Sequence, residues 1–317
     1  MNLREWISQE LVFGQFFERI EKRNTVLHAF GKTVLRPDGS IQGPPRIHGW
    51  TWSAVGDVLI WNSITGQVVA GFNGNVFIGE SPLLLGSPPG STDKYFLFPY
   101  VSIRHASAKV LYVISSHVAY GKPREVLLSQ MLAIGVPPGN IWVTVAGSNN
   151  AGIRVVDGIT FSHVAENGYE YTGLLDIVKH DVECDLVFLL HDTCHVGPQF
   201  HSLVQEQPYS LRIDYMPVLG EGLFNIGLYR KDFLVGIFGF LESLMGISKQ
   251  RAIDIELDRT SEGFRHWAKV SSNFLCEFGH KKGIRFPYDP KVGRNTMYLV
   301  GADMYKFYSL GNENKTA

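Results

Sequence analysis

Continuous apolar runs in the middle of the chain are the clearest feature of its hydrophobic pattern. Residues 110–114 and 186–190 are apolar throughout, which is typical of strands buried on both faces of a parallel sheet. Further strands are predicted at 141–145 and 159–161, with helices at 123–134 and 169–180. This alternation predicts an α/β fold, a mostly parallel sheet flanked by helices with right-handed crossovers.

The N-terminal third of the chain has a different hydrophobic pattern. Residues 3–23 carry apolar side chains at helical spacing, which predicts a small amphipathic helix. From 25 to 79, short β-rich runs alternate with turn signals, as is typical of an antiparallel β module. The Pro- and Gly-rich stretch 81–90 predicts a linker. We therefore expect two domains, 1–90 with the helix and the β module, and 91–317 with the α/β sheet.

Composition and charge narrow the function classes. Hydrophobic residues make up 45% of the chain and charged residues 19%, an ordinary globular balance. The formal net charge is −1, so the chain lacks the basic field on which nucleic-acid binding usually depends, and no nucleic-acid partner is expected. Three widely spaced cysteines and an N-terminus without a secretory signal pattern predict a cytoplasmic location.

The stretch 233–247 is nearly apolar, but it is shorter than the roughly 20 residues of a membrane span. A core helix is the first interpretation. The alternative is a shallow, peripheral membrane contact that would present a lipid-linked acceptor.

Polar side chains follow two of the predicted strands, where open α/β sheets bind their ligands. Ser115, Ser116 and His117 end the first strand, and His191 and Asp192 end the fourth. The serines are candidates for nucleotide contact, with helix capping as the alternative. Asp192 is a candidate ligand for a divalent cation that neutralises a diphosphate leaving group, with a role in capping a loop as the alternative.

Histidines supply further candidates for the same diphosphate. His191 and His195 could donate hydrogen bonds to it, and solvated histidines are the alternative interpretation. His280 lies in a Gly-flanked basic segment, GHKKG at 279–283, which suits a closing lid. A surface turn is the alternative for that segment.

The order of motifs between residues 110 and 263 resembles the inverting, family-2-like glycosyltransferases of the A type (GT-A). The motifs are the opening strand at 110–114, LLS at 127–129, AGS at 146–148, ENGYEYTG at 166–173, LLHDT at 189–193, FNIGLYRKDFL at 224–234 and AIDIEL at 252–257. One carboxylate, Asp192, stands where that family has an Asp-any-Asp motif. The resemblance implies a GT-A-like sheet that binds a nucleotide sugar over residues 91–317.

The resemblance also implies roles for individual residues. Asp192 would hold Mn²⁺ or Mg²⁺, Asn167 would contact the nucleotide sugar, and Glu256 or Asp254 would be the catalytic base. On a helix the last two point about 200° apart, so only one of them can face the cleft. The implied activity is transfer of a sugar from a nucleotide-sugar donor to a hydroxyl of a glycan or lipid-linked acceptor, with inversion, in polysaccharide or glycan synthesis.

Two alternatives stay open. A sugar nucleotidyltransferase uses a similar sheet but carries a glycine-rich basic loop after the first strand, and residues 115–122 hold one glycine and one lysine. A carbohydrate-binding or scaffolding protein with an inactive transferase-like domain is favoured by the single carboxylate. It is also favoured by Trp50 and Trp52, because indole faces stack on sugar rings.

Overall fold

A computed structural model describes the chain over most of its length. The described residues are 9–19, 24–43, 47–55, 58–78, 81–87, 89–90, 94–211, 213–218, 225–256, 274–275, 284–289 and 294–308. The chain forms two compact units. The first comprises Met1–Ser107, Gln207–Asp214 and Asn273–His280, and the second comprises Ala108–Glu206, Tyr215–Ser272 and Lys281–Ala317. The domain boundary at residue 90 stays a prediction.

The first unit is built on an antiparallel sheet of eight strands. The strands are β1 (Glu10–Arg19), β2 (Asn24–Leu35), β3 (Ile41–Gln42), β4 (Thr51–Val55), β5 (Val58–Asn62), β6 (Val68–Ile78), β7 (Ser81–Ser87) and β8 (Lys94–Pro99). Their order across the sheet is β3-β2-β1-β8-β7-β6-β5-β4. Leu11, Phe13, Leu59, Trp61 and Phe72 belong to one buried apolar cluster. This cluster gives the sheet a hydrophobic core of its own.

The predicted N-terminal helix is wrong, because its described part is strand β1. Leu11, Val12 and Phe13 are all buried, and Leu11 pairs with Thr33 on β2 and with Pro99 on β8. A short run of apolar residues is compatible both with the buried side of a helix and with a strand that is buried on both faces. Pairing with two distant strands decides between them. The predicted linker at 81–90 is also wrong, since it contains β7.

The remaining elements follow β8 in the chain. They are β9 (Val110–His117), α1 (Gly121–Ala133), β10 (Ile141–Ala146), β11 (Gly152–Val156), β12 (Ile159–His163), α2 (Tyr171–Lys179), β13 (Leu186–His191), β14 (Cys194–Val196), α3 (Phe200–Gln205), β15 (Ile213–Pro217), β16 (Gly227–Arg230), α4 (Lys231–Gly236), α5 (Phe238–Ser243), α6 (Lys249–Glu256), β17 (Phe274–Leu275), β18 (Ile284–Asp289), β19 (Arg294–Leu299) and β20 (Met304–Tyr308). In the second sheet, β11-β12-β10-β9-β13-β16-β15 are neighbours in that order. A small third sheet has the order β14-β20-β19-β18.

The predicted fold class, a GT-A-like and mostly parallel sheet flanked by helices, is contradicted by this architecture. The first sheet is antiparallel and so is the third. In the second sheet β12, β10, β9 and β13 pair in parallel, whereas β11, β16 and β15 pair antiparallel to their neighbours. A continuous apolar run predicts burial of both strand faces. It carries no information on the direction of the neighbouring strands.

One face of the second sheet is joined to α2 by a buried carboxylate. Asp176 accepts hydrogen bonds from Trp142 Nε1 at 2.8 Å, Thr144 Oγ1 at 2.7 Å and Ser162 Oγ at 3.0 Å. Three donors offset the desolvation of a carboxylate inside a core. Because strand residues alternate between faces, Thr144 on β10 and Ser162 on β12 define the face that α2 covers.

The apolar stretch 233–247 covers the end of α4 and all of α5, which are both short helices. Phe233, Leu234, Phe240 and Leu241 are buried in them, whereas Val235 is exposed, so most of the large apolar side chains contribute to the core. Among the described residues no helix is both long enough and apolar enough to cross a membrane.

Candidate functional site

A pocket lies at the carboxyl ends of two neighbouring parallel strands, β9 and β13. β9 lies between β10 and β13 in the sheet. The chain leaves β9 through α1 to reach β10 on one side, and it later passes from β12 through α2 to reach β13 on the other side. Connections that leave in opposite directions open a crevice at the carboxyl ends of such strands, where α/β proteins bind ligands. A cavity of about 340 Å³ is found there, lined by Ser115, Ser116, His117, Ala119, Tyr120, Asn167, Tyr169, Glu170, His191, Asp192, Thr193 and Lys249.

Residues singled out from the sequence meet in this pocket. Those that line it are Ser115, Ser116, His117, Asn167, His191 and Asp192. The parallel register explains why two distant motifs converge, since His191 on β13 pairs with Ser115 on β9. The individual roles assigned to these residues stay predictions.

Ser115 holds the start of α2 in place. Its hydroxyl donates to the carbonyl of Glu170 at 2.7 Å and accepts from the N–H of Gly173 at 2.9 Å. A side chain on Gly173 would not fit, because a Cβ there would lie 2.5 Å from Ser115 Oγ. Ser115 therefore positions the residues that precede α2 and shape the pocket wall.

Ser116 links the carboxyl of Asp192 to the guanidinium of Arg124. Its hydroxyl donates to Asp192 Oδ2 at 2.9 Å, and Arg124 Nη1 donates to the Ser116 oxygen at 3.2 Å. Burial raises the pKa of the Asp192 carboxyl, and the hydrogen bonds from Ser116 and the His117 backbone and the charge of Arg124 oppose that rise. Burial also lowers the pKa of Arg124, which the Asp192 charge opposes. A buried carboxyl of the pocket lining is thus joined to the Arg124 guanidinium through one serine.

The ring of His117 is fixed from two sides. Its Nδ1 accepts from the N–H of Ala119 at 3.2 Å, which leaves Nε2 as the proton-bearing nitrogen of the neutral ring. The ring lies against Gly147, where an added Cβ would collide with Nε2. Gly147 also has φ of +72°, so a larger residue there is disfavoured by both space and backbone conformation.

The turn before α2 is built around Asn167. Its side-chain oxygen accepts from the N–H of Tyr169 at 2.9 Å, and Tyr169 adopts φ of +58°, which is uncommon for an aromatic residue. Gly168 has no room for a side chain, since a Cβ would lie 2.8 Å from the carbonyl of Leu244. This packing holds Tyr169 in the pocket wall at a cost in backbone energy.

Other residues predicted for the site lie elsewhere. His195 is on β14, where its ring packs edge-on to Phe307 at 4.5 Å and burial lowers its pKa. Asp254 is on α6 and accepts from Gln250 Nε2 at 2.9 Å. Among the described residues neither His195 nor Asp254 lines the pocket.

Two predicted residues cannot be placed in the same way. Glu256 is the last residue of α6, and the structure describes its backbone position on that helix. His280 lies outside the described residues.

Several lining residues were not singled out from the sequence: Tyr120, Tyr169, Glu170, Thr193 and Lys249. Arg124, which donates to the lining residue Ser116, was not singled out either. Tyr169 and Glu170 belong to the same motif as Asn167, so the sequence did indicate this turn as part of the site. Lys249 begins α6, and only tertiary packing brings that helix to the strand ends. No local pattern in the sequence pointed to it.

The neighbours of Asp192 do not form an evident divalent-cation site. In the described part of the chain its carboxyl accepts hydrogen bonds from the hydroxyl of Ser116 and the backbone of His117. Cations such as Mg²⁺ and Mn²⁺ are held by several oxygen ligands, and the described residues contain no group of three or more His, Cys, Asp or Glu side chains that could hold a metal. The Mn²⁺ or Mg²⁺ role of Asp192 stays a prediction.

Comparisons with known proteins do not identify a family. No family model matches the chain, and no curated protein matches it. Among solved structures, the chain is similar to the apo form of the glycosyltransferase GlyE of Streptococcus pneumoniae TIGR4, with a TM-score of 0.30 and 16% identity. The similarity covers 52% of this chain and 44% of GlyE, so the matched part spans less than half of that protein.

Proposed function

We propose that the chain is a glycosyltransferase that binds a nucleotide sugar in the pocket between the ends of β9 and β13. The observation that supports this best is the position of the pocket, at a point where strand order reverses and polar strand ends converge. Its volume of about 340 Å³ is within the range of small-molecule sites.

The lining residues match the needs of such a ligand. Tyr120 and Tyr169 offer ring faces for a base or a sugar. Lys249 supplies a positive charge for a diphosphate, whose departure has to be stabilised during sugar transfer. Hydroxyl, imidazole and carboxyl groups at the strand ends can fix the orientation of a polar ligand.

Between the two predicted bases, the geometry of α6 favours Glu256. Lys249 begins α6 and lines the pocket. Seven residues make almost two full turns, so position 256 shares the helix face of position 249, whereas position 254 lies about 140° away. Glu256 is therefore the base in this proposal, with Asp254 as the second choice. The acceptor hydroxyl would then lie along α6, about 10 Å from Lys249 by the helical rise.

One of the two observations that favour a carbohydrate-binding protein, the pair Trp50 and Trp52, has a structural explanation. Trp50 and Trp52 pack against the buried apolar cluster of the first unit. The Trp50 ring meets Trp61 edge-on at 6.2 Å, and Trp52 Nε1 donates to the carbonyl of Arg36 at 2.8 Å. These contacts give the two indoles a structural role in the first unit.

Ligand binding tests the proposal. Uridine, guanosine, cytidine and thymidine diphosphate sugars are added singly to the full chain, with Mg²⁺, with Mn²⁺ and with a chelator, and the melting temperature and donor hydrolysis are measured. At least one donor should raise Tm and be hydrolysed slowly, and Asp192→Asn should remove both effects. Ser202→Ala, an exposed change on α3, is the control. If no donor binds under any condition, the proposal is wrong.

A second experiment tests the base. Glu256→Gln removes basicity but keeps size, so donor affinity should survive while transfer falls by about 10²–10⁴-fold. Asp254→Asn should change transfer much less. Equal, near wild-type transfer rates in both variants would rule out a base on α6, while leaving donor binding intact.

A further inference from the structure

A row of residues crosses the second sheet at the carboxyl ends of its parallel strands. Ser116 on β9 pairs with Val145 on β10, Val145 pairs with His163 on β12, and His163 pairs with Gly152 on β11. Paired residues in neighbouring strands share a face of the sheet. Thr144 precedes Val145 and faces α2, so this row lies on the opposite face.

Two arginines reach the same face from different elements. Arg124 on α1 donates to Ser116, the first residue of the row. Arg154 on β11 pairs with Phe161, which is two positions before His163 and therefore on its face. The Arg154 guanidinium lies 5.8 Å from the centre of the Phe161 ring. Arg124, Arg154 and His163, which we call the Arg–His cluster, thus come from α1, β11 and β12.

The three groups are close enough to interact electrostatically. Burial lowers the pKa of His163, and the charges of Arg154 and Arg124 lower it further. Arg154 likewise lowers the pKa of Arg124, whereas Asp192 and Glu125 act on Arg124 in the opposite direction. The charges that act on His163 are those of the two arginines. The two arginines therefore bring positive charge close to the His163 imidazole.

One atom of the cluster lacks a hydrogen-bond partner. His163 Nε2 is buried and has none among the described residues. An unsatisfied buried polar atom is costly, and such atoms mark places where a ligand or a water completes the structure. Arg124 uses Nη1 on Ser116, and a guanidinium has five N–H donors arranged for oxyanions.

We propose that Arg124, Arg154 and His163 form a binding site for a phosphoryl group beside the pocket. Two guanidinium forks and an imidazole are the groups that hold phosphate oxygens with charge-assisted hydrogen bonds. The inference rests on the proposed function for its ligand, since a nucleotide-sugar donor carries a diphosphate. A phosphate carried by a second substrate has the same chemistry and is the other source.

Binding of simple phosphates tests the site. Inorganic pyrophosphate and orthophosphate are titrated calorimetrically into the full chain and into Arg154→Gln and His163→Gln variants. Each variant should bind pyrophosphate about tenfold more weakly or worse, as expected for loss of a charge-assisted hydrogen bond. Lys122→Gln removes an exposed charge from α1, two positions before Arg124, and should change affinity less than about twofold.

The choice of variants separates a loss of binding from a loss of folding. Arg154 is exposed, so Arg154→Gln should keep the wild-type melting temperature even if His163→Gln lowers it. Arg154→Lys retains the charge but not the fork, and partial recovery of binding is expected. Unchanged pyrophosphate affinity in Arg154→Gln, or no binding by the wild type at millimolar pyrophosphate, would overturn the site.

Further titrations separate the two sources and the two proposals. If the affinity for a nucleoside diphosphate depends on Arg154, the site binds the donor. If the affinity for a sugar 1-phosphate depends on Arg154, the site binds a second substrate. If Arg154→Gln and wild type bind nucleotide sugars equally and also bind pyrophosphate equally, the site is wrong and the proposed function stands. If none binds but pyrophosphate binds through Arg154, the function is wrong and the site stands.

Discussion

The hydroxyl of Ser115 donates to the backbone carbonyl of Glu170 across 2.7 Å, which ties the end of β9 to the residue just before α2. Since the same oxygen accepts from Gly173, a single hydroxyl satisfies two backbone groups. Both Ser115 and Glu170 line the pocket. The sequence alone suggested nucleotide contact or capping for this serine, and the structure gives it bonds that hold α2.

Ser115→Ala should destabilise the fold. It leaves the Glu170 carbonyl and the Gly173 N–H without their partner in a part-buried setting, which costs about 1–3 kcal/mol. Urea denaturation followed by circular dichroism measures the change. Ser202→Ala is the control, because it removes one hydrogen bond on the surface of α3 and should cost less than about 0.5 kcal/mol. Equal stability of the two variants would contradict the positioning role.

Gly173→Ala tests the same junction by steric means. The added Cβ would lie 2.5 Å from Ser115 Oγ and 2.9 Å from Val113 Cγ1, so α2 has to shift, at a cost of about 1–3 kcal/mol. Gly139→Ala places a Cβ in open space and should leave the melting temperature nearly unchanged. Equal stability of the Gly173→Ala and Gly139→Ala variants would contradict this prediction, since α2 would then shift away from β9 without a loss of stability.

The strands of the second sheet could be predicted where burial is uniform. Every residue of β10 is buried, and so are Leu186–Leu190 of β13, which is why continuous apolar runs located both strands. The direction of their neighbours could not be predicted. β13 pairs in parallel with β9 on one side and antiparallel with β16 on the other. The same apolar residues of β13 are compatible with both pairings.

The strand-end residues of the site were predictable for a physical reason. Parallel register places His191 beside Ser115, so two distant polar clusters meet whenever their strands are neighbours. Arg124 and His163 were not predictable, because their proximity depends on the sheet face that each occupies. Lys249 was not predictable either, since its helix reaches the pocket only through tertiary packing.

Cys184 should react slowly with alkylating agents. Burial raises the pKa of its thiol to about 11 from the ordinary 9.0, although the charges of Lys231 and Lys109 act in the opposite direction. At pH 8 the reactive thiolate is then about 100-fold scarcer than for the ordinary thiol. Iodoacetamide labelling followed by peptide mass spectrometry measures the rate, with urea-unfolded protein as the control. Equal labelling rates in folded and unfolded protein would contradict the prediction.

Asp192→Asn should impair ligand binding without lowering stability at neutral pH. Burial raises the pKa of this carboxyl above its ordinary 3.8, so between the unfolded and folded pKa values the folded state binds more protons. Stability contributed by the protonated carboxyl is therefore present below the unfolded pKa and is lost as pH rises through the folded pKa. Asparagine does not titrate, and it can still accept the hydrogen bond from Ser116.

The melting temperature of Asp192→Asn relative to wild type should accordingly increase as pH rises from about 4 to 7. Thermal melts of both proteins across that range, in the absence of ligand, measure the difference. Asp157→Asn, an exposed change on the turn between β11 and β12, is the matched control for removal of a carboxylate. A variant that loses stability relative to wild type as pH rises would mean that the ionised Asp192 stabilises the fold. The carboxylate would then be structural, and loss of nucleotide-sugar binding in this variant would no longer support a role for Asp192 in the pocket.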